Sequence, residues 1–405
     1  MHVATVCWFT ALSIISVSYG ADVFLENISV TKLAFGSCNR HDLPQPLWDS
    51  IGKQEPDLFL WLGDAVYADT RIFPFVWRSS SLSVVRDKFQ QQKNNPNYKK
   101  FVDSGVPIFG VWDDHDYNLN DGGYENVGRT QVQQIFLDFL DEDADSWRRS
   151  RDGLYVSYLF GKNDEKVKLV LLDVRSHFDR ATGDVLGHDQ WSWLEREIIS
   201  DDGAALVLVA SGVQVLTEMT IIDKFGSTPY SKQRLLNILS QNPKVLILSG
   251  DVHFGEISCH NTSSYPLYEL TSSGLTHNCL ISLVPEVVCN VALNYFLSQK
   301  KRISPYVYSG LNYGMVTINW STRQVTMAVY GQDYVVMNHS YNMTTASSGL
   351  GRFCPTSTAE HSGTWVVTWT LGLLVTLAMC RKVLCRYGIR ESRLSTKVER
   401  RTDSE

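Results

Sequence analysis

Between about residues 30 and 335 the chain alternates short, uninterrupted apolar runs with segments of helical character. The runs Thr31–Gly36, Leu58–Leu62, Pro107–Trp112, Val167–Asp173, Ala205–Ala210 and Lys244–Leu248 predict strands. They lack the polar alternation of a half-exposed strand, so they suit sheets covered on both faces. The segments Pro46–Lys53, Gln131–Leu140, Gln190–Ile199 and Lys232–Gln241 predict helices between them, and the alternation implies an α/β domain. Later, Gly314–Trp320 and Gln324–Tyr330 read as a hairpin turning at Ser321-Thr322-Arg323. No linker-like shift, repeat or low-complexity tract interrupts this region. One domain is therefore expected over residues 21–340, followed by a stalk over 341–363.

The two ends differ from the middle. Residues 1–20 carry no Asp, Glu, Lys or Arg, and small residues follow at Ser18, Gly20 and Ala21. This reads as a secretory signal peptide cleaved near Gly20, without the usual basic start; a buried first element is the alternative. Thr364 to Cys380 is a second uncharged stretch, at the short limit of the roughly 17–25 residues that span a bilayer. Arg381, Lys382 and Arg386 follow at once, as the positive-inside rule expects, and Trp365 and Trp369 suit the interface. The expectation is a single-pass type I membrane protein. Its transmembrane helix is 364–380, its basic cytosolic tail 381–405, and its main domain lumenal or extracellular. Glycosylation triplets at Asn27, Asn261, Asn319, Asn338 and Asn342 all precede the expected span.

Composition narrows the class. With 405 residues, 44% hydrophobic and 20% charged, the chain is neither disordered nor a small disulfide-stapled scaffold. A net charge of −6 gives no reason to expect nucleic-acid binding. Cys7 lies in the expected leader, and Cys380 and Cys385 at the cytosolic membrane edge, where palmitoylation is an option. The domain keeps five cysteines, Cys38, Cys259, Cys279, Cys289 and Cys354, an odd number for an oxidising compartment.

The chemistry gathers where the strands end. Ser37-Cys38-Asn39, Gly63-Asp64-Ala65-Val66-Tyr67, Asp113-Asp114-His115-Asp116, Asp173-Val174-Arg175, Ser211-Gly212-Val213-Gln214 and Gly250-Asp251-Val252-His253 each follow an apolar run. Strand carboxyl ends are where α/β sheets place their sites. A lone Gly-Asp is usually a turn and a lone histidine usually structural. Three carboxylates and an imidazole at 113–116 are harder to dismiss, because they repel and desolvate one another unless cations compensate. Together the pieces point to a centre of two or more metals that clamps a phosphate ester and activates water.

The series F-G-S-C-N, W-L-G-D-A-V-Y, V-W-D-D-H-D-Y-N-L-N-D, L-L-D-V-R, G-H-D-Q-W-S-W-L, S-G-D-V-H-F and L-T-S-S-G-L-T-H resembles the alkaline phosphatase D (PhoD-like) metallophosphatases, a branch of the calcineurin-like phosphoesterases. The resemblance runs from about Leu33 to Tyr330. It implies two mixed β-sheets sandwiched together and flanked by helices. It makes Asp64 a bridging metal ligand, Tyr67 a phenolate ligand to iron(III), Cys38 a thiolate ligand, and Asp251 and His253 late ligands. Asp114 stands where the wider superfamily has a metal-binding asparagine, and Asn120 is a second candidate for that position. His115 matches a histidine that contacts substrate phosphate near the leaving group. Arg175 and His277 lie in the motifs, either supporting the ligands or touching substrate, and Arg71 is a weaker phosphate-binding candidate. Iron(III) with calcium is the implied cofactor set, to which tyrosinate, thiolate and hard oxygen donors are suited. If Cys38 binds metal, four cysteines remain for two disulfides, with three connectivities open.

The implied function is hydrolysis of phosphate monoesters at a membrane-anchored site, by in-line attack of a metal-bound hydroxide without a phosphoenzyme. Two alternatives are a phosphodiesterase acting on lipid, nucleotide or glycan phosphates, and an inactive receptor or adhesion ectodomain. Fewer than 15 residues separate the expected cleavage point from the first motif, so the extra N-terminal β-domain of many bacterial members is not expected.

Overall fold

The computed structural model describes residues 21–73, 76–218, 225, 228–278, 290, 293–294, 301–344 and 353–355. The expected leader, the apolar segment 364–380 and the basic tail lie outside them. Among the described residues no helix is long and apolar enough to cross a membrane.

Two mixed sheets form the domain. The first has six strands in the order β15 (Val335–Asn342), β14 (Gln324–Tyr330), β13 (Tyr313–Asn319), β2 (Lys32–Gly36), β3 (Leu58–Leu62) and β6 (Ile108–Val111). Here β2, β3 and β6 run parallel, while β13, β14 and β15 pair antiparallel beside them. The second has seven, in the order β1 (Val23–Leu25), β7 (Val156–Phe160), β8 (Val167–Leu172), β9 (Leu206–Ser211), β10 (Val245–Ser249), β12 (Pro266–Ser272) and β11 (Gly255–Asn261). Its centre, β8 to β12, is parallel. A short hairpin, β4 (Thr70–Phe73) with β5 (Val76–Arg78), stands apart.

Period-two alternation divides the core. On β9, Leu206, Leu208 and Ala210 join the larger apolar cluster with residues of the first sheet, whereas Val207 and Val209 face a second cluster. On β10, Leu246 and Leu248 likewise separate from Val245 and Ile247. Trp191, Leu194 and Ile198 of α5 (Gly187–Ser200), with Leu235 and Leu239 of α6 (Pro229–Leu239), close that second cluster. Over the first sheet, Trp48 of α1 (Leu47–Lys53) packs edge-on against Phe59 and Trp61 at centroid distances of 5.1 and 5.4 Å. Thus strands buried on both faces are uninterrupted in hydrophobicity, as the sequence pattern requires.

The six predicted strands and four predicted helices are present within two or three residues, as is the 314–330 hairpin. The segment expected as a stalk begins inside β15, which pairs with β14 as far as Asn342. Farther along, Cys354 is disulfide-bonded to Cys259 of β11. Only the connectivity that pairs Cys279 with Cys289 is compatible with that bond, and both of those cysteines lie outside the described residues. The bond closes a separation of 95 residues, so Cys259→Ser should lower unfolding free energy by about 2–4 kcal/mol, measured by urea denaturation of non-reduced protein. An unchanged midpoint would show that the segment around Cys354 adds nothing to the domain's stability.

Candidate metal centre

Six of the seven sequence motifs end up at one end of the sandwich; the seventh, G-H-D-Q-W-S-W-L, forms α5. Cys38 follows β2, Asp64 follows β3 and the 113–116 cluster follows β6. From the second sheet, Arg175 follows β8, Asp251 and His253 follow β10, and Ser273 and His277 follow β12. The seam between the two parallel strand sets is therefore lined from both sides.

The turns that aim these side chains are unusual. Cys38, Asp64, Asp251 and His253 all have positive φ, from 49° to 73°, a region costly for residues with a Cβ. Four such residues are four of the expected ligands. Close approach also demands glycine. A Cβ on Gly63, at φ +80°, would fall 2.2 Å from Cβ of Asp113, and one on Gly250 would meet the Leu62 carbonyl and Ser37 Oγ at 2.6 Å.

Three donor sets result, each with its ligand atoms within 4.8 Å of one another: Cys38, Asp64 and His253; Asp64, Asp114 and His115; Asp113, Asp114 and Asp251. Asp64 is shared by the first two and Asp114 by the last two. Cys38 Sγ lies 3.4 Å from Asp64 Oδ2 and 2.9 Å from Ser273 Oγ. The Tyr67 hydroxyl sits 3.2 Å from His253 Nε2 and 2.8 Å from His277 Nε2, and its ring stacks on His115 at 3.9 Å. His115 Nδ1 is 2.9 Å from the buried Asp69 carboxylate.

Electrostatics explain why these groups suit cations. Burial pushes the Asp64 carboxyl well above its usual range; His115 opposes this, while Asp114, Asp113 and Asp116 add to it. Burial likewise raises the Cys38 thiol and the Tyr67 phenol, helped by nearby anions. Asp116, buried and bonded to the Val66 amide at 2.9 Å, is pushed up to about 8. Asp114 goes the other way. Burial raises it, but His115, Arg175 and the amides of Asp121 and His115 outweigh that and hold it low. For His115, burial favours the neutral ring, yet Asp114, Asp64 and Asp69 together push it up to about 10. A buried set of acids, a thiol and a phenol, all strained toward one point, is compensated by multivalent cations. The donor chemistry therefore fits a metal centre: thiol, imidazole and carboxylate on one side, carboxylates alone on the other.

Two of the expected residues stand beside the donor sets. Arg175 is 1% exposed and donates from Nε to Asp113 Oδ1 at 2.5 Å, so it braces a carboxylate of the cluster from beneath. Asn120 is half-buried and donates from Nδ2 to Asp121 Oδ2, the neighbour whose main-chain amide bonds Asp114. His277 joins the cluster through Tyr67, with Thr276 Oγ1 3.1 Å from its Nδ1. Asp69, Ser273 and Trp77 were not singled out from the sequence. Asp69, five residues after Asp64, stands where no apolar pattern marks it. Ser273 lay unremarked within L-T-S-S-G-L-T-H. Trp77 reaches His115, at a ring distance of 4.5 Å, from a hairpin that sequence periodicity did not reveal.

No curated protein matches the chain. Among solved structures, one described as the structure of PhoD aligns with a TM-score of 0.62 and 17% identity, covering 85% of this chain and 75% of that one. A second, GAP50, the anchor in the inner membrane complex of Plasmodium, gives a TM-score of 0.48 at 11% identity, covering 82% and 98%. At such identities the first likeness concerns the fold. The family itself is set by a model of PhoD-like phosphatases that matches residues 33–328, a stretch holding every residue of the centre. The chain belongs to the PhoD-like phosphatase family.

Proposed function

We propose that this metal-dependent phosphoesterase hydrolyses phosphate monoesters, with iron(III) and calcium at the centre. In this reading the domain is held to a membrane by residues 364–380 and lies on the lumenal or extracellular side, after removal of residues 1–20. One observation carries the catalytic part: two adjoining donor sets share the buried Asp64, and His115, fixed by Asp69, stands in the second. Cys38, Tyr67 and His253 would hold the iron, and Asp114 with Asp113 or Asp251 the calcium. When bound, the cations neutralise phosphoryl charge and acidify the attacking water.

The chain's own groups do the rest. Asp69 accepts the proton of His115 Nδ1, which leaves Nε2 as the nitrogen available to a departing oxygen. Stacking on Tyr67 and packing against Trp77 hold the imidazole in one plane. Of the three carboxylates that raise His115, Asp64 and Asp114 would be engaged in holding metal. Asp69 remains to preserve a usable acid. The anchoring part of the proposal rests on the two apolar ends and on the five glycosylation triplets. Asn27, Asn261, Asn319 and Asn338 are exposed, and Asn342 is half-buried.

Four outcomes test this reading. Asp64→Asn and His253→Ala should each abolish hydrolysis of an aryl phosphate monoester, the ester preferred over its bis-aryl diester, while circular dichroism stays native. Full activity in either variant would remove these residues from the centre. His115→Asn should cut kcat by about 10²–10⁴-fold on an alkyl ester and far less on an aryl ester with a good leaving group. Asp69→Asn should follow the same leaving-group pattern at about 10–100-fold, with metal content unchanged; equal losses on both esters would rule out proton donation. Metal analysis of the purified protein should find stoichiometric iron, with a charge-transfer band lost in Tyr67→Phe or Cys38→Ser. A colourless, fully active protein would exclude iron(III).

A further inference from the structure

The second sheet carries a polar cluster unrelated to the metal centre. Lys168, on β8 and wholly buried, places Nζ 2.8 Å from Glu197 Oε2 and 2.7 Å from Asp202 Oδ2. Two largely buried carboxylates thus share one side-chain ammonium, a surplus of negative charge that interiors ordinarily compensate. Lys166 approaches as well, but its Nζ donates to the main-chain carbonyl of Asp202 at 3.1 Å. The remaining contacts to the Asp202 carboxylate come from Ser200 Oγ, 3.2 Å from Oδ1, and from the main-chain nitrogen of Ala21, 2.9 Å from Oδ2. Ala21 is half-buried and packs on the second apolar cluster. The next residue is locked too. Asp22 accepts from both terminal nitrogens of Arg151 at 3.1 Å, from the Ser157 amide at 3.0 Å and from Trp193 Nε1 at 3.2 Å. Its own amide donates to Ser157 Oγ at 2.8 Å. Asp22 and Arg151 balance each other, so the surplus stays at Asp202.

We propose that the chain is cut between Gly20 and Ala21, and that the new α-ammonium of Ala21 docks on Asp202 as the missing cation of the Lys168–Glu197–Asp202 cluster. This rests on the reading of residues 1–20 as a removed leader and adds the fate of the new terminus. The small residues Ser18 and Gly20 stand at the third and first positions before that bond, as a leader endoprotease requires. Hydrolysis consumes one water. The Gly20–Ala21 C–N bond breaks, Gly20 leaves as a carboxylate, and Ala21 retains its nitrogen as an ammonium, protonated at neutral pH. An amide offers Asp202 one N–H and no charge; the ammonium offers three donors and one charge. Processing therefore completes a buried ion cluster that the uncut chain leaves net negative.

Sequencing the N-terminus of the full chain, expressed in a secretory host, decides the first half. Ala-Asp-Val-Phe is the result expected. A terminus at any other residue overturns the inference while leaving a removed leader intact, whereas retained Met1 overturns both. The second half is read by amine-directed acylation of the processed protein followed by peptide mass analysis. In the native protein the Ala21 amine should resist acylation, and in Asp202→Asn it should be modified. Asp202→Asn should also melt a few degrees lower. If Asp202→Asn does not fold, the native protein and its urea-unfolded form suffice as the pair. Equal reactivity of Ala21 in the two samples would show that the terminus is not docked.

Discussion

Crowding of buried acids is the constraint around which this molecule is arranged. Asp64, Asp113, Asp114 and Asp116 converge where β3 and β6 end, joined by Asp251 from the opposite sheet, in surroundings that penalise each charge. The domain answers with separate devices. Arg175 neutralises Asp113, paired amides cradle Asp116, and the amides of His115 and Asp121 hold Asp114 ionised. Asp64 accepts from the His115 amide at 3.3 Å, and like Asp114 it is common to two donor sets. Repulsion of this kind is absent from the extended chain, so folding without cations runs against it. Binding of cations and folding are thereby coupled, and the left-handed turns at Cys38, Asp64, Asp251 and His253 are strain that metal ligation can repay.

A shared geometry lets both sheets contribute. The parallel strands of the two sheets end on the same side of the sandwich, so each supplies its loops to one seam. Glycine at 63 and 250 permits the loops to touch, because any side chain there would collide with Asp113, or with Leu62 and Ser37. The result is a centre supported by two packed cores, with few degrees of freedom left to its ligands.

The strands buried on both faces were legible because burial writes itself as continuous apolar runs, and the glycine-aspartate turns after β3 and β10 stood out against them. Helices α2 (Leu82–Lys93) and α3 (Pro96–Val102) were not, since their sequences are polar and their buried residues few. Strand β12 was hidden because Glu269, Thr271 and Ser272 are buried polar residues. Glu269, for instance, accepts from the amides of Val215 and Leu216. Strand β15, half-exposed at a sheet edge, runs to Asn342, past residue 341 where a stalk was expected to begin. At the centre, residues inside dense motifs were readable. Asp69 and Trp77, which act on His115 from the β3–β5 region, gain their role only through folding.

The disulfide to Cys354 also orients the molecule. In β11, Gly255 lies opposite Ser272 beside the centre, whereas Cys259 lies opposite Tyr268 and Asn261 opposite Pro266, toward the other end of the sheet. Strand β15 leaves the first sheet at that same far end, where Asn342 faces Gln324 and Gln324 faces Asn319. Cys354 is therefore pinned at the base of the sandwich, and the metal centre lies at its crown. A partner that gripped the domain beside this disulfide would hold the enzyme like a cup by its foot, rim outward. Asn261, Asn319 and Asn342 lie around the foot, away from the rim.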